Sequence, residues 1–101
     1  MYIHNKMFEW DSKKAKLNIE KHEVSFELAC SVFFDENAFD GPDINHSDIE
    51  PRSLRLGRST DGSILIVAYT LRRNNYGETK IRIISARKAS RKERKIYKPQ
   101  D

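Results

Sequence analysis

The chain has one cysteine, Cys30, and only three prolines and four glycines in 101 residues. A single cysteine excludes an internal disulfide, and nothing supports a cysteine-based metal site. Its place on the apolar side of a predicted helix suits a buried structural thiol better than a nucleophile. The three histidines, His4, His22 and His46, are scattered, with no i, i+4 pair on a helix, so neither a metal nor another cofactor is expected. The glycines are dispersed and form no phosphate-cradling loop. No apolar run approaches a membrane-spanning length, and a reducing cytoplasm is the expected compartment. Arginine is missing from half of the chain. Residues 1–50 hold five Lys, no Arg and eleven acids, a net −6, whereas residues 51–101 hold nine Arg, five Lys and four acids, a net +10.

This length suits one domain with one modest core; residues 1–6 read as an irregular lead-in and 7–101 as the domain. A basic half that favours Arg over Lys points to phosphate or nucleic acid, because guanidinium presents a flat fork of donors matched to phosphate oxygens. The other reading is internal neutralisation of the acidic half by the basic half across the fold.

Phe8-Glu9-Trp10 alternates like a short strand, and Asp11 is a helix N-cap candidate. A charged helix follows over residues 12–22, with Ala15, Ile19 and His22 as its inward stripe. Ser25 caps a second helix whose Phe26, Ala29, Cys30 and Phe33 share one face, with Val24 and Ala29 spaced as a hydrophobic staple. Residues 35–51, rich in acids, read as mostly loop with a short strand near 38–40. Residues 53–60 and 63–71 flank Asp61-Gly62, which suits a two-residue type I′ turn. That register sets Arg58 opposite Leu65, Leu56 opposite Val67 and Leu54 opposite Tyr69, with all the apolar residues of those pairs on one core face. Residues 72–79 read as a loop leading to a strand over 80–87. Ser90 and Glu93 then have capping-box spacing, so a short basic helix begins there. The central strand is apolar on both faces, so both must be at least partly covered: one by the early helices, the other by the C-terminal helix or another protein. The expected fold is α+β: two N-terminal helices on an antiparallel sheet of about four strands, with a short C-terminal helix.

The chemistry-bearing residues form an arginine-led group. Cutting RNA by attack of its own 2′-hydroxyl on the adjacent phosphate requires cations aimed at the developing charge and groups that move protons. Arg58, Arg82 and Arg87 are candidate cations. His22, Glu9, Lys21 and Tyr97 are candidate proton carriers, and Trp10 is a candidate base-stacking platform. Each also has a structural reading as an ordinary strand, helix-end or core residue. Parity sets a condition: Arg82 and Arg87 are separated by an odd number of positions, as are Arg55 and Arg58, and so point to opposite faces of a regular strand. Either pair joins one site only if its strand bends or bulges, which places the expected site at a sheet edge or end.

With these residues assembled, the chain resembles the BrnT family of type II toxin–antitoxin toxins. The matching motifs are Phe8-Glu9-Trp10-Asp11 with Lys14, Asn18, Lys21-His22 and Val24-Ser25-Phe26-Glu27; Asp43 with His46-Ser47; Leu56-Gly57-Arg58-Ser59 with Gly62; and Arg82-Ile83-Ile84-Ser85-Ala86-Arg87 with Ala89, Glu93-Arg94 and Tyr97. They cover about residues 7–97. The chain departs from the pattern at Glu23, where the family tends to have Gly, the residue suited to a left-handed helix C-cap. The resemblance implies a RelE-like α+β fold and a metal-independent endoribonuclease that inhibits translation. It also implies neutralisation by a BrnA-like ribbon-helix-helix antitoxin, in a heterotetramer that reaches operator DNA through the antitoxin. On this likeness Arg58, Arg82, Arg87 and His22 are the catalytic candidates. Trp10, Lys21, Arg91, Arg94 and Tyr97 are the RNA-binding candidates. A non-catalytic module acting in operon autoregulation is the alternative.

Overall fold

The structure is a computed structural model that describes residues 7–44 and 51–97 in full and residues 2–4 in backbone alone. The order of elements is β1 (Tyr2–His4), β2 (Phe8–Asp11), α1 (Ser12–His22), α2 (Phe26–Cys30), a 3-10 turn (Ser31–Phe34), β3 (Phe39–Pro42), β4 (Ser53–Arg58), β5 (Ile64–Arg73), β6 (Thr79–Lys88) and α3 (Arg91–Ile96). The strands form one sheet in the order β1-β2-β6-β5-β4-β3. Every neighbouring pair is antiparallel except β2 and β6, which run parallel through Phe8 opposite Ile81 and Glu9 opposite Arg82.

The α+β class therefore stands, but the expected sheet of about four antiparallel strands is corrected to a mixed sheet of six. The helices do not precede the sheet; they follow its first two strands. The two outermost strands are short, three and four residues, and the second reads Phe-Asp-Gly-Pro, so neither carries the apolar alternation that marks a strand. The edge strand β1 falls within the segment read as an irregular lead-in.

Local chemistry sets the helix bounds. The Asp11 carboxylate accepts the backbone N–H groups of Lys13 and Lys14 at 2.8 and 3.4 Å, the N-cap that the sequence predicts. The exit of α1 is at Glu23, which adopts φ 59° and ψ 31° and donates its N–H to the Ile19 carbonyl at 2.8 Å. This is the left-handed C-cap position, filled by a residue with a Cβ. Glu23→Gly is accordingly expected to stabilise the fold by roughly 0.5–1 kcal/mol, less than the full left-handed penalty because glycine also loosens the unfolded chain. A melting temperature that falls in the glycine variant would contradict this. Ser25 caps α2 by accepting the Leu28 N–H at 3.0 Å. After one turn the helix tightens into the 3-10 segment Ser31–Phe34, so the α-helix expected to run through Phe33 ends at Cys30.

The sheet has two apolar faces. On one, α1, α2 and the 3-10 turn cover Phe8, Trp10, Leu65, Val67, Ile83 and Ala86, which pack with Val24, Phe26, Ala29 and Val32. On the other, Leu56 and Ile66 pack with Ala89 and Tyr97, at the two ends of the α3 segment. The doubly apolar β5 is thus covered on both sides from within the chain, though only partly on the second. Gly57 explains the close packing of β4 beneath the helices: a Cβ there would meet those of Ala38 and Val32 at 3.1 Å.

The β4–β5 register differs by one residue from the expected one. Arg58 lies opposite Ile64, Leu56 opposite Ile66 and Leu54 opposite Ala68. The turn has three residues: Ser59 N–H bonds the Ser63 carbonyl at 2.8 Å, Gly62 N–H bonds the Ser59 carbonyl at 3.0 Å, and Gly62 has φ 90°. This is a type I turn closed by a left-handed glycine, the other common hairpin loop that an Asp-Gly pair serves. A one-residue slip moves a whole side-chain set to the opposite face. Leu54 and Leu56 therefore share a face with Ile66 and Ala68, and Leu65, Val67 and Tyr69 face the helices. The β5–β6 hairpin closes the same way, with Asn74 N–H to the Glu78 carbonyl at 2.9 Å and Gly77 at φ 80°, so the loop expected over 72–79 is shorter than predicted.

Candidate active site

The face of the sheet away from α1 and α2 carries the arginines, and a bulge in β6 decides which of them meet. Ser85 lies opposite Ala68 but Ile83 lies opposite Tyr69, which leaves Ile84 as an extra residue. Ile83 and Ala86, three positions apart, both enter the helix-side core. Arg82 and Arg87, five positions apart, consequently lie on the same face, opposite Thr70 and Ile66. The parity condition is met for this pair by the bulge. It is not met for Arg55 and Arg58. Arg55 stays on the helix side, stacked 4.8 Å from the Phe33 ring centroid and 3.2 Å from Asp40.

Beside this row lies a cleft of about 430 Å3, lined among others by His22, Asp43, Arg52, Leu54, Ile66, Ala68 and Arg87. Its floor is the apolar β4–β5 surface that α3 leaves uncovered. His22 reaches it from the end of α1 because Asn18, one turn earlier, pins that helix to the edge of β6. The buried Asn18 amide donates to the Ala86 carbonyl at 2.7 Å and the Val24 carbonyl at 2.9 Å, and accepts the Ala86 N–H at 3.1 Å. It serves as the strand partner that β6 lacks beyond the two-residue contact with β2.

Each arginine has a distinct setting. Arg87 is gripped by Glu93 through two parallel bonds, Nη1 to Oε1 at 2.7 Å and Nη2 to Oε2 at 2.9 Å. Glu93 also accepts the Ser90 N–H at 2.8 Å, and Ser90 Oγ accepts the Glu93 N–H at 3.1 Å. The predicted capping box is therefore present, and the same carboxylate orients Arg87. The Arg87 guanidinium first, with the Ser90 N–H behind it, overcomes the effect of burial and holds the Glu93 carboxyl at about 2. Arg82 contacts Glu9 by Nε at 2.8 Å and Nη2 at 2.6 Å, bridging β6 to β2. Arg58 lies 5.7 Å from the centroid of the Tyr97 ring, and its backbone N–H bonds Asp35 Oδ2 at 2.7 Å. The Tyr97 hydroxyl donates to that same oxygen at 2.6 Å. Burial raises the Tyr97 phenol above its usual range and Asp35 adds to this. The Asp35 carboxyl, although burial pushes it up, is held below its usual range by Tyr97 and the Arg58 N–H.

A pH effect follows from Glu93. Its folded pKa lies below the unfolded value of 4.5, so its contribution is fully present above about pH 4.5 and is lost as pH falls toward 2. Thermal unfolding between pH 5 and pH 3 is expected to show this loss in wild type and a shallower one in Glu93→Gln. At neutral pH that variant should be less stable by about 1–2 kcal/mol, the pair being partly solvated. Parallel pH profiles would refute the assignment.

The remaining candidates divide. Trp10 is 5% exposed and meets the Phe26 ring edge-on at 6.0 Å. It points with Phe8 toward the helices and is a core residue; the stacking platform expected there is corrected, because its faces are packed against protein. Tyr97 is 4% exposed, with its ring in the α3-side core, so an open RNA contact for it is corrected on the same ground. Lys21, Arg91 and Arg94 are exposed, with Arg94 Nη1 also donating to the Ala89 carbonyl at 3.1 Å. Cys30 is half-buried and burial pushes its thiol up to about 12, which suits an unreactive structural group. His46 and Ser47 lie outside the described residues. Asn18 and Asp43 stood among the motif residues without a role. Asp35 and Arg52 had no local signal, since their partners are distant in sequence.

Compared with known families, residues 10–93 match the family described as "Ribonuclease toxin, BrnT, of type II toxin-antitoxin system". No curated protein matches the chain. No helix among the described residues is long and apolar enough to cross a membrane. The match runs from Trp10 in β2 to Glu93 in α3, taking in the whole arginine face and the cleft; the chain belongs to the BrnT family of ribonuclease toxins of type II toxin–antitoxin systems, whose partner is a protein antitoxin.

Proposed function

We propose that this chain is a metal-independent endoribonuclease that cuts cytoplasmic RNA by 2′-hydroxyl attack and thereby inhibits translation. The observation that carries this reading is the bulge at Ile84, which sets Arg82 and Arg87 on one face beside a cleft that His22 also lines. Arg87, with Arg82 and Arg58 flanking it along the same face, stabilises negative charge as it develops on the phosphate. The apolar floor strengthens that stabilisation by excluding water. His22, which lines the cleft together with Arg87, is the proton carrier. Lys21, Arg91 and Arg94 supply outer cations for the RNA backbone. Neutralisation is by a BrnA-like ribbon-helix-helix antitoxin, in a heterotetramer of two toxins on an antitoxin dimer that binds operator DNA. Light scattering of the co-expressed pair that shows only free monomers would contradict this stoichiometry.

The test is incubation of purified protein with total RNA in EDTA, beside the Arg82→Ala, Arg87→Ala double variant. Cleavage by wild type alone, with the double variant shown to be folded by circular dichroism, supports the reading. Cleavage that needs added translating ribosomes keeps the nuclease and changes its substrate.

One observation favours a second reading, a non-catalytic module acting in operon autoregulation: Arg82 and Arg87 both already contact carboxylates, Glu9 and Glu93. Expression without antitoxin that leaves growth unaffected, together with intact RNA in every assay, would favour it.

A further inference from the structure

The far end of the β5–β6 hairpin carries a second group of cations that the cleft does not use. Arg72 lies opposite Lys80, Arg73 opposite Thr79 and Thr70 opposite Arg82. A concavity of about 130 Å3 there is lined by Glu9, Arg72, Arg73, Asn74, Lys80 and Arg82, so four cations meet one carboxylate. The turn that closes the hairpin is firmly built: Asn74 Oδ1 accepts the N–H groups of Tyr76 and Glu78 at 2.9 and 3.0 Å, and Asn74 Nδ2 donates to Glu78 Oε1 at 2.9 Å. The strands beneath it are thereby held in register, and Arg72 and Arg73 are exposed beyond the core. Like charges directly opposite each other across a strand pair destabilise the sheet. Arg72 opposite Lys80 is such a pair, and a polyanion laid across both cations offsets their repulsion.

On β5, Arg72 falls on the same face as Ile66, which is opposite Arg87; the six residue steps between them span about 20 Å. A stacked single strand advancing roughly 3.4 Å per phosphate covers this in about six nucleotides. We infer that Arg72, Arg73 and Lys80 form a second phosphate-binding subsite, which holds the flank of a single-stranded RNA whose reacting phosphate sits in the cleft. The inference rests on the ribonuclease reading. It adds that substrates need a single-stranded arm on one side of the cut. RNA is favoured over an acidic protein segment because Arg72 and Lys80 share the face of the cleft at a spacing a single strand can bridge, with Arg73 lining the same concavity from the next position of β5.

The experiment compares 2′-O-methyl 4-mer and 12-mer oligonucleotides, in which the attacking oxygen is blocked, by fluorescence anisotropy. The proteins are wild type and the Arg72→Gln, Arg73→Gln variant, whose side chains lie outside the core. Wild type is expected to bind the 12-mer at least about tenfold more tightly than the 4-mer. The variant should lose that advantage, keep 4-mer affinity, and show a salt slope shallower by about 1.4, the value for two single-strand phosphate contacts. An unchanged 12-mer preference and slope would overturn the subsite. If wild type still cuts RNA in that case, the nuclease reading survives. Loss of antitoxin binding with RNA binding intact also overturns the subsite and assigns the cluster to a protein partner. Wild type that neither binds the 12-mer nor cuts RNA, with or without translating ribosomes, overturns both.

Discussion

Asn18→Leu is expected to lower stability by about 3 kcal/mol or more. The leucine fits the volume but removes three hydrogen bonds. It leaves the Ala86 N–H, the Ala86 carbonyl and the Val24 carbonyl without this partner in a buried setting, at roughly 1–3 kcal/mol for each group left unsatisfied. Since a domain of this size is stable by only about 5–15 kcal/mol, the variant should unfold at markedly lower urea. Asn18→Asp should do no better. It keeps one acceptor for the Ala86 N–H but sets a carboxylate against two carbonyl oxygens. A loss below about 1 kcal/mol for the leucine variant would show that α1 is held to β6 by packing alone. The same substitution should also displace His22, so any residual folded protein should be impaired in RNA cleavage.

Arg87→Ala is expected to reduce RNA cleavage by about 10²- to 10³-fold, the range for removing one stabilising donor from a reacting centre, and to abolish growth inhibition. Its structural cost should be modest, because the pair with Glu93 is partly solvated and Ser90 still caps α3. Arg87→Lys separates charge from shape. It keeps the cation but loses the fork, and should recover only part of the activity. Arg82→Ala makes a poorer probe. Arg82 bridges β6 to β2 through the buried Glu9, and removing one partner of such a pair costs about 3–5 kcal/mol. Lost toxicity in that variant therefore needs a folding control, which Arg87→Ala needs far less. Full cleavage by a folded Arg87→Ala protein would remove Arg87 from the site.

The parts of this fold written in local chemistry were legible beforehand. Asp11, Ser25 and the Ser90–Glu93 box set the starts of the three helices, and the apolar spacing of Phe26 and Ala29 found the buried side of α2. The Asp61-Gly62 pair announced a hairpin but not its loop length, because the same dipeptide serves two turns, and a single residue of difference exchanged the two faces of β4. The bulge at Ile84 had no local signal. Strand parity only stated what a bulge would achieve, and the bulge exists because tertiary packing draws both Ile83 and Ala86 into the helix-side core. Trp10 and Tyr97 looked like nucleic-acid contacts by residue type, yet each sits where its apolar ring is covered. The family likeness rested on motifs spread from Phe8 to Tyr97, and it held where individual side-chain roles did not.

The contacts that assemble the arginine face join the two ends of the chain. Arg82 meets Glu9 across 73 positions, Ala86 meets Asn18 across 68, and Tyr97 meets Asp35 across 62. Residues 79–97 are therefore translated after everything they must pair with, and such non-local closure is slow compared with helix formation. At about 5–20 residues per second of synthesis, the earlier three-quarters of the chain waits for seconds without a parallel strand pair, without Arg82 and without Arg87. On the proposed nuclease reading, a chain built in this order is without its cutting face until β6 has emerged, so activity follows the last strand pairing and not the first.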